Sequence, residues 1–396
     1  MCRNMLHIEN YVLPMKILIT TDLYTVKTNG VVTSVRNLYE ELTADGHDVR
    51  ILTLSGNNKS RREGHIYYIR SVSLEAVYPD VRMPTSYRHK LIKELILWKP
   101  DVIHSQCEFF TFQYASRISK CTGAPIVHTY HTLYEQYFTY LLPVKSLSKK
   151  AVSTFSKYRL KKVKQVIAPT HKVEDVLRDY GLHNPISVIP SGINLDRYKN
   201  RISAESRKKK RNLLGISENQ TVMLNLGRLG TEKNIDELIR FFAKAAQGRE
   251  DLVFLIVGDG PARQSLESLS DELNLSKQVI FTGMVDPSEV QEYYQLGDFF
   301  ASASTSETQG LTYIEAAANG LPLLCREDPC LQDVLIGGVN GYTYCDETEF
   351  LQHFFKICDN PQWRIIAGEH SRNIAMGYDK HTFGGSVEAI YDTVVG

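Results

Sequence analysis

TVMLNLGRLGTEKNIDELIRFFAKAAQ occupies residues 221–247. Its first seven residues are nearly all apolar and too few for a helix, the pattern of a short strand buried on both faces. From Ile235 onward Ile235, Leu238, Ile239, Phe242 and Ala245 recur at helical spacing. Between them lies GRLGTEKN (227–234), a short loop carrying Arg228 and Lys233. A strand feeding a helix through a short loop is half of a β-α-β unit, and such units build parallel sheets with helices on both faces.

The same rhythm runs outward in both directions. LVFLIVG (252–258), QVIFTG (278–283), DFFASAS (298–304) and LPLLCR (321–326) continue the series downstream. Upstream stand KILIT (16–20), VRILTL (49–54), HIYYI (65–69), DVIHSQ (101–106), PIVHTY (125–130) and QVIAPT (165–170), with a helix predicted over Thr33 to Asp45. The Pro-, Gly- and Asn-containing PISVIPSGINLDRYKN (185–200) separates the two series and reads as a linker. A chain of 396 residues suits two domains. The expected fold is therefore α/β with two doubly wound domains: 15–190, then 191–378, with a last helix at 379–396 packing back on the first. Residues 1–14 lack the basic start and apolar run of a signal peptide, and Met15 reads as the natural beginning of the fold.

Net charge is only +1, but it is unevenly shared. Residues 1–200 hold 28 Lys and Arg against 17 Asp and Glu, and the remainder 18 against 28. An anionic partner is expected for the first half. Seven cysteines, odd in number and without a CxxC pair, suit reduced thiols in a cytosolic protein. No run reaches the roughly 18 apolar residues of a membrane-spanning helix. RKKKR (207–211) reads as a solvated helix face.

Paired α/β domains bind ligands at the carboxyl ends of their strands. SETQGLTYIEAAANG (306–320) follows DFFASAS and leads into a helix. Thr312-x-x-Glu315 fits a capping box, which would make the stretch merely structural. The functional reading leaves the backbone N–H groups of Gly310, Leu311 and Thr312 free at a helix N-terminus, where an anion is favoured. Glu307 and Glu315 would then take sugar and ribose hydroxyls, and Arg228 and Lys233 would neutralise a pyrophosphate without a metal.

Glu307-x7-Glu315 with GRLGTEKN upstream resembles the donor-binding half of the family 4 retaining glycosyltransferases, which have the GT-B fold. TDLYTVKTNGVVTSVRNL (21–38) is similar to that family's glycine-containing loop after the first strand. The resemblance implies that Gly30 approaches the donor phosphates, although Asn29-Gly30 stands where the family often has two glycines. PSGIN (190–194) and VGDGP (257–261) resemble its linker and a donor-domain strand end. It also points to His131, in HTYHTLYEQY (128–137), as a contact of the sugar. The catalytic set so implied is His131, Arg228, Lys233 and Glu307. No cofactor is implied beyond a UDP-sugar co-substrate. A nicotinamide reading of VGDGPARQ fails at Arg263, which stands where GxGxxG needs its third glycine. A zinc reading of His128 and His131 lacks further ligands.

Between Glu135 and Glu174 no acidic residue occurs, while Lys145, Lys149, Lys150, Lys157, Arg159, Lys161, Lys162 and Lys164 do. Val144, Leu147, Ala151, Phe155 and Tyr158 recur among them at helical spacing. A solvated helix fits this pattern, and so does an interfacial helix on anionic lipid held by Lys149, Lys150, Lys157 and Lys161. A nucleic-acid partner is not expected, since no recognised module accompanies the basic run. HTYHTLYEQY with SETQGLTYIEA is similar to the bacterial monoglycosyldiacylglycerol synthases. That likeness implies transfer of a hexose, glucose foremost, from a UDP-sugar to diacylglycerol by a peripheral enzyme on the cytoplasmic face of the cell membrane. A polyprenyl-linked sugar or a phosphatidylinositol is the alternative acceptor. A silent sugar-nucleotide-binding scaffold would have no need of Arg228, Lys233, Glu307 and Glu315 together.

Overall fold

The computed structural model describes residues 13–24, 29–74, 81–133 and 145–396. Two sheets organise it. The first contains β1 (Lys16–Thr21), β2 (Asp48–Leu54), β3 (Arg61–Glu63), β4 (Ile66–Ile69), β7 (Val102–Ser105), β8 (Ile126–Thr129), β9 (Gln165–Ala168) and β10 (Ile186–Val188). Between β4 and β7, β5 (Ser71–Ser73) and β6 (Arg82–Pro84) form a separate antiparallel ribbon. Strand order is β10-β9-β8-β7-β1-β2-β4-β3, and every pairing is parallel except β3 with β4 at the edge. The second sheet is wholly parallel. Its strands are β11 (Thr221–Leu226), β12 (Leu252–Val257), β13 (Val279–Phe281), β14 (Phe299–Ser302), β15 (Leu323–Arg326) and β16 (Gly341–Tyr344), in the order β13-β12-β11-β14-β15-β16.

The apolar runs read from sequence lie on these strands because each is covered on both faces. All six residues of β12 are buried. Helices on the two sides give each sheet two apolar layers. Three local expectations change. The first helix begins at Gly30 rather than Thr33, because Asn29 Oδ1 accepts from the Val32 N–H and caps it there. Part of the supposed linker is β10, paired with β9. RKKKR is only half solvated: Arg211 is buried, donating to Asp298 Oδ2 (2.9 Å) and the Gln220 carbonyl (3.1 Å).

The chain crosses between the sheets twice, side by side. Ile193 N–H donates to the Tyr378 carbonyl (2.8 Å) and Lys380 N–H to the Ile193 carbonyl (3.0 Å). The helix Lys380–Val395 then lies on the first sheet's layer, where Phe383, Val387 and Tyr391 join the cluster that holds Ile17, Val35 and Ile51.

Candidate active site

Each sheet has one place where consecutive connections leave in opposite directions, and loops diverge there to open a crevice. In the second sheet it lies between β11 and β14. The loop after β11 carries Arg228 and Lys233, and the loop after β14 carries Glu307. Lys233 Nζ donates to Glu307 Oε1 at 2.5 Å, 74 residues away in sequence. Arg228, half-exposed, pairs with Glu232 one turn on. Both cations expected to meet a pyrophosphate are thus engaged with carboxylates, and a diphosphate would compete for them.

Burial raises the Glu307 carboxyl, but the Lys233 ammonium, with help from Ser304 and Lys172, more than reverses this and holds it below its ordinary value. Glu315 moves the other way. Burial raises it, and the hydroxyls of Tyr294 (2.8 Å from Oε2) and Tyr198 oppose that only in part. Two carboxylates eight residues apart in sequence therefore stand in opposed electrostatic settings.

The helix after this loop, Leu311–Ala318, is entered through Gly310 at φ 74°, a left-handed conformation natural to glycine. A Cβ at Gly310 would also lie 2.4 Å from the Tyr313 ring. No capping box forms, because the helix starts one residue before Thr312. Glu315 falls in its second turn, turned to the tyrosines. Among the described residues no acceptor meets the N–H groups of Gly310, Leu311 and Thr312.

VGDGP has a structural purpose. Gly258, at φ 130°, has no room for a Cβ, which would lie 1.9 Å from the Gly227 carbonyl oxygen. Leu229 N–H donates to the Asp259 carbonyl (3.0 Å), and Ala262 N–H to the Leu229 carbonyl (2.9 Å). The glycines let this loop support the one bearing Arg228.

In the first sheet the corresponding place lies between β1 and β7. Gly30 opens the helix after β1, and a Cβ there would stand 3.7 Å from Leu311 Cδ1. The N-terminal ends of the two helices, one per domain, thus face each other. His131 follows β8, and its Nε2 lies 2.6 Å from Gln106 Oε1. Burial, then the neighbouring His128, lowers His131 to about 3, so its ring is neutral. Its carbonyl accepts from the Thr308 hydroxyl at 2.9 Å, which ties it to the loop of Glu307. His128 pairs with Glu108 in the interior at 3.0 Å. Among the described residues no group of three His, Cys, Asp or Glu could hold a metal ion.

Residues 28–197 match the model of glycosyltransferase family 4, and residues 206–370 that of the glycosyl transferases group 1. The alpha-monoglucosyldiacylglycerol synthase of Streptococcus pneumoniae is 36% identical over 335 residues, covering 84% of this chain and 76% of that one. The synthase of the same name from Acholeplasma laidlawii is 30% identical over 387 residues, 95% of this chain and 96% of the other. The chain is a family 4 glycosyltransferase. The Anabaena protein HepE, solved in complex with UDP, matches its fold with a TM-score of 0.74 at 17% identity, over 96% of this chain and 100% of that one. The architecture of this glycosyltransferase is accordingly GT-B.

The basic segment of this family 4 enzyme is a helix with one face on the protein. On the helix Lys145–Leu160 the stripe buried against the protein is Val152, Ser156 and Leu160, which leaves Ala151 and Tyr158 of the apolar series on the outside. Tyr158 is 76% exposed, and Ala151 is exposed too. Phe155 stacks on Phe109 with ring centroids 5.3 Å apart. Lys150, Lys157 and Lys161 share the exposed face with Tyr158, whereas Lys149 stands in line with the buried stripe while remaining exposed. Among the described residues none of these four lysines pairs with an acid. Val144 and residues 134–143 lie outside the described residues, as do the side chains of Lys145 and Leu147.

Sequence reading missed several contributors. Tyr294 and Tyr198 hold Glu315, Gln106 holds His131, and Lys172 reaches the Glu307 loop from the first domain. Only the position of Gln106 at a strand end was a signal for any of them.

Proposed function

We propose that this glycosyltransferase moves a hexose, glucose foremost, from a UDP-sugar to diacylglycerol in a membrane, with retention at the anomeric carbon. The observation that carries the reading is the 30% identity to the Acholeplasma synthase across 95% of this chain, because it spans both the donor and the acceptor halves.

The site supports the donor part. A leaving diphosphate gathers charge as the glycosidic bond breaks, and fixed cations stabilise that charge with little reorganisation. Arg228, Lys233 and the free N–H groups at Gly310–Thr312 would supply this stabilisation, with Gly30 approaching from the opposite domain. Glu315 would hold ribose hydroxyls. Glu307 and the neutral His131 would hold the sugar, His131 by a hydrogen bond rather than a charge. Retention would follow from attack by the acceptor hydroxyl on the face the diphosphate leaves, with the departing phosphate taking the proton. The chemistry so drawn uses only groups of this chain and the substrates.

The acceptor part rests on the relatives and on the lysine-bearing face of the helix Lys145–Leu160. That face supports reversible attachment to the anionic inner leaflet of the cell membrane. Among the described residues no helix is long and apolar enough to cross a membrane.

The test is to incubate the protein with UDP-glucose, UDP-galactose or UDP-N-acetylglucosamine and vesicles carrying diacylglycerol, phosphatidylinositol or a polyprenyl-linked sugar. Monohexosyl-diacylglycerol identified by mass is the expected product. Product on another acceptor alone would overturn the choice of lipid, and NMR of the new linkage would decide retention.

A further inference from the structure

The helix His171–Asp179 of the first domain has Glu174 in its first turn, as the helix dipole favours, but two of its first residues are not used for the helix. Thr170, at its N-cap, makes no side-chain capping bond. Lys172 places a cation in the first turn, where the helix dipole favours anions. Sequences that break a local rule without local benefit mark positions with a duty elsewhere.

Both residues are spent on the other domain. The Thr170 hydroxyl donates to the Thr308 carbonyl at 2.6 Å. Lys172 Nζ meets both Asp328 carboxylate oxygens (2.7 and 2.8 Å), the Glu307 carbonyl (2.9 Å) and the Thr305 carbonyl (3.1 Å). An ammonium has three protons, so these acceptors saturate it. The side chains of Lys172 and Asp328 are 12% and 4% exposed, which shields the pair from solvent and salt. The Glu307 backbone is thus gripped by Lys172 from the first domain while its carboxylate is gripped by Lys233 from the second. On the same loop, Gln309 exchanges two 2.9 Å hydrogen bonds with the Ser191 backbone, and Thr308 bonds the His131 carbonyl.

We propose that Lys172 is a positioning residue for transfer: its ammonium, anchored on Asp328, sets the Glu307 loop against the first domain so that Glu307 and His131 face the same sugar. Arg228, Lys233, Glu315 and the N–H groups of Gly310–Thr312 all belong to the second domain, so losing the strut disturbs donor recognition less than it disturbs transfer. The inference rests on the proposed reading of Glu307 as a group that contacts the sugar.

Lys172→Met keeps length and removes the charge. It lowers kcat for UDP-glucose and diacylglycerol vesicles by about ten- to a hundredfold, the scale of a misplaced reacting group, and weakens UDP binding by no more than a few-fold. Thr170→Val, a milder cut in the same contact, lowers kcat a few-fold. Lys172→Met with Asp328→Asn is no slower than Lys172→Met alone, because the two act as one unit. Amide hydrogen exchange over 304–310 rises about tenfold or more in Lys172→Met, reporting the loosened loop whether or not the substrates are rightly chosen. Unchanged kcat in the presence of an active wild type overturns the proposal. So does unchanged exchange over 304–310, or a loss of UDP affinity that matches the loss of kcat. An inactive wild type with raised exchange in the variant counts against the proposed substrates and for the strut.

Discussion

Lys233 Nζ and Glu307 Oε1 lie 2.5 Å apart, across the mouth of the crevice where β11 and β14 part. The pair ties the cation proposed to meet the diphosphate to the carboxylate proposed to meet the sugar. Glu307→Gln removes the charge and keeps the shape, and it releases Lys233 for a diphosphate. Turnover is expected to fall by about 2.7–4 kcal/mol of transition-state stabilisation, the scale of one lost electrostatic group, while UDP affinity holds or tightens. Steady-state kinetics beside UDP titration check this. A loss of UDP affinity as steep as the loss of turnover would contradict it.

Transfer is expected to persist in excess EDTA. Two cations and a helix N-terminus can meet the charge of the leaving diphosphate without a bridging ion. Activity abolished by EDTA and restored by Mg²⁺ or Mn²⁺ would contradict the assignment. A modest stimulation by divalent ions would not, since they also alter lipid surfaces.

Vesicle binding should rise with anionic lipid content and fall with salt. Lys150, Lys157 and Lys161 share one exposed face, and each contributes about 1 kcal/mol near an anionic surface within a Debye length of roughly 8–10 Å. Changing these three to Gln should release the protein in a sedimentation assay while UDP binding stays intact. Lys149→Gln alone should do less, because Lys149 lies in line with the buried stripe. Equal binding to neutral vesicles would defeat the electrostatic account.

Stability should depend on pH through His131. Folded, it takes a proton only near about 3, against 6.5 for the ordinary group. Between these values the unfolded chain binds more protons, so this contribution is whole above about 6.5 and is lost as pH falls. Buried His104 acts in the same direction. His131→Gln should therefore lose less stability than the parent between pH 7 and pH 5, as read from urea midpoints. Equal losses would mean that His131 titrates normally in the folded protein.

Strands were legible because a parallel sheet covered on both faces demands unbroken apolar runs, as β12 shows. The loops bearing Arg228, Lys233 and Glu307 were legible as loops because they follow strand ends. The face of the basic helix that packs on the protein was not legible, because Ser156 occupies its stripe. Its hydroxyl meets the Tyr130 hydroxyl at 3.1 Å inside the core, a pairing that periodicity of apolar residues cannot register. Lys172 closes the acid-free interval and looks like one more solvated charge. Its partner Asp328 lies 156 residues away, and only the folded chain brings them together.

The central claim is that Arg228, Lys233 and the Glu307–Glu315 segment form the donor site of a UDP-sugar glycosyltransferase. Calorimetric titration of UDP into the wild type and into Arg228→Ala, Lys233→Ala tests it most directly. The account predicts one site per chain in the wild type and loss of measurable binding in the double variant, titrated well below its unfolding midpoint, which falls because Glu307 loses the ammonium that offsets its burial. UDP binding of equal strength in both proteins would place the diphosphate elsewhere and contradict the account.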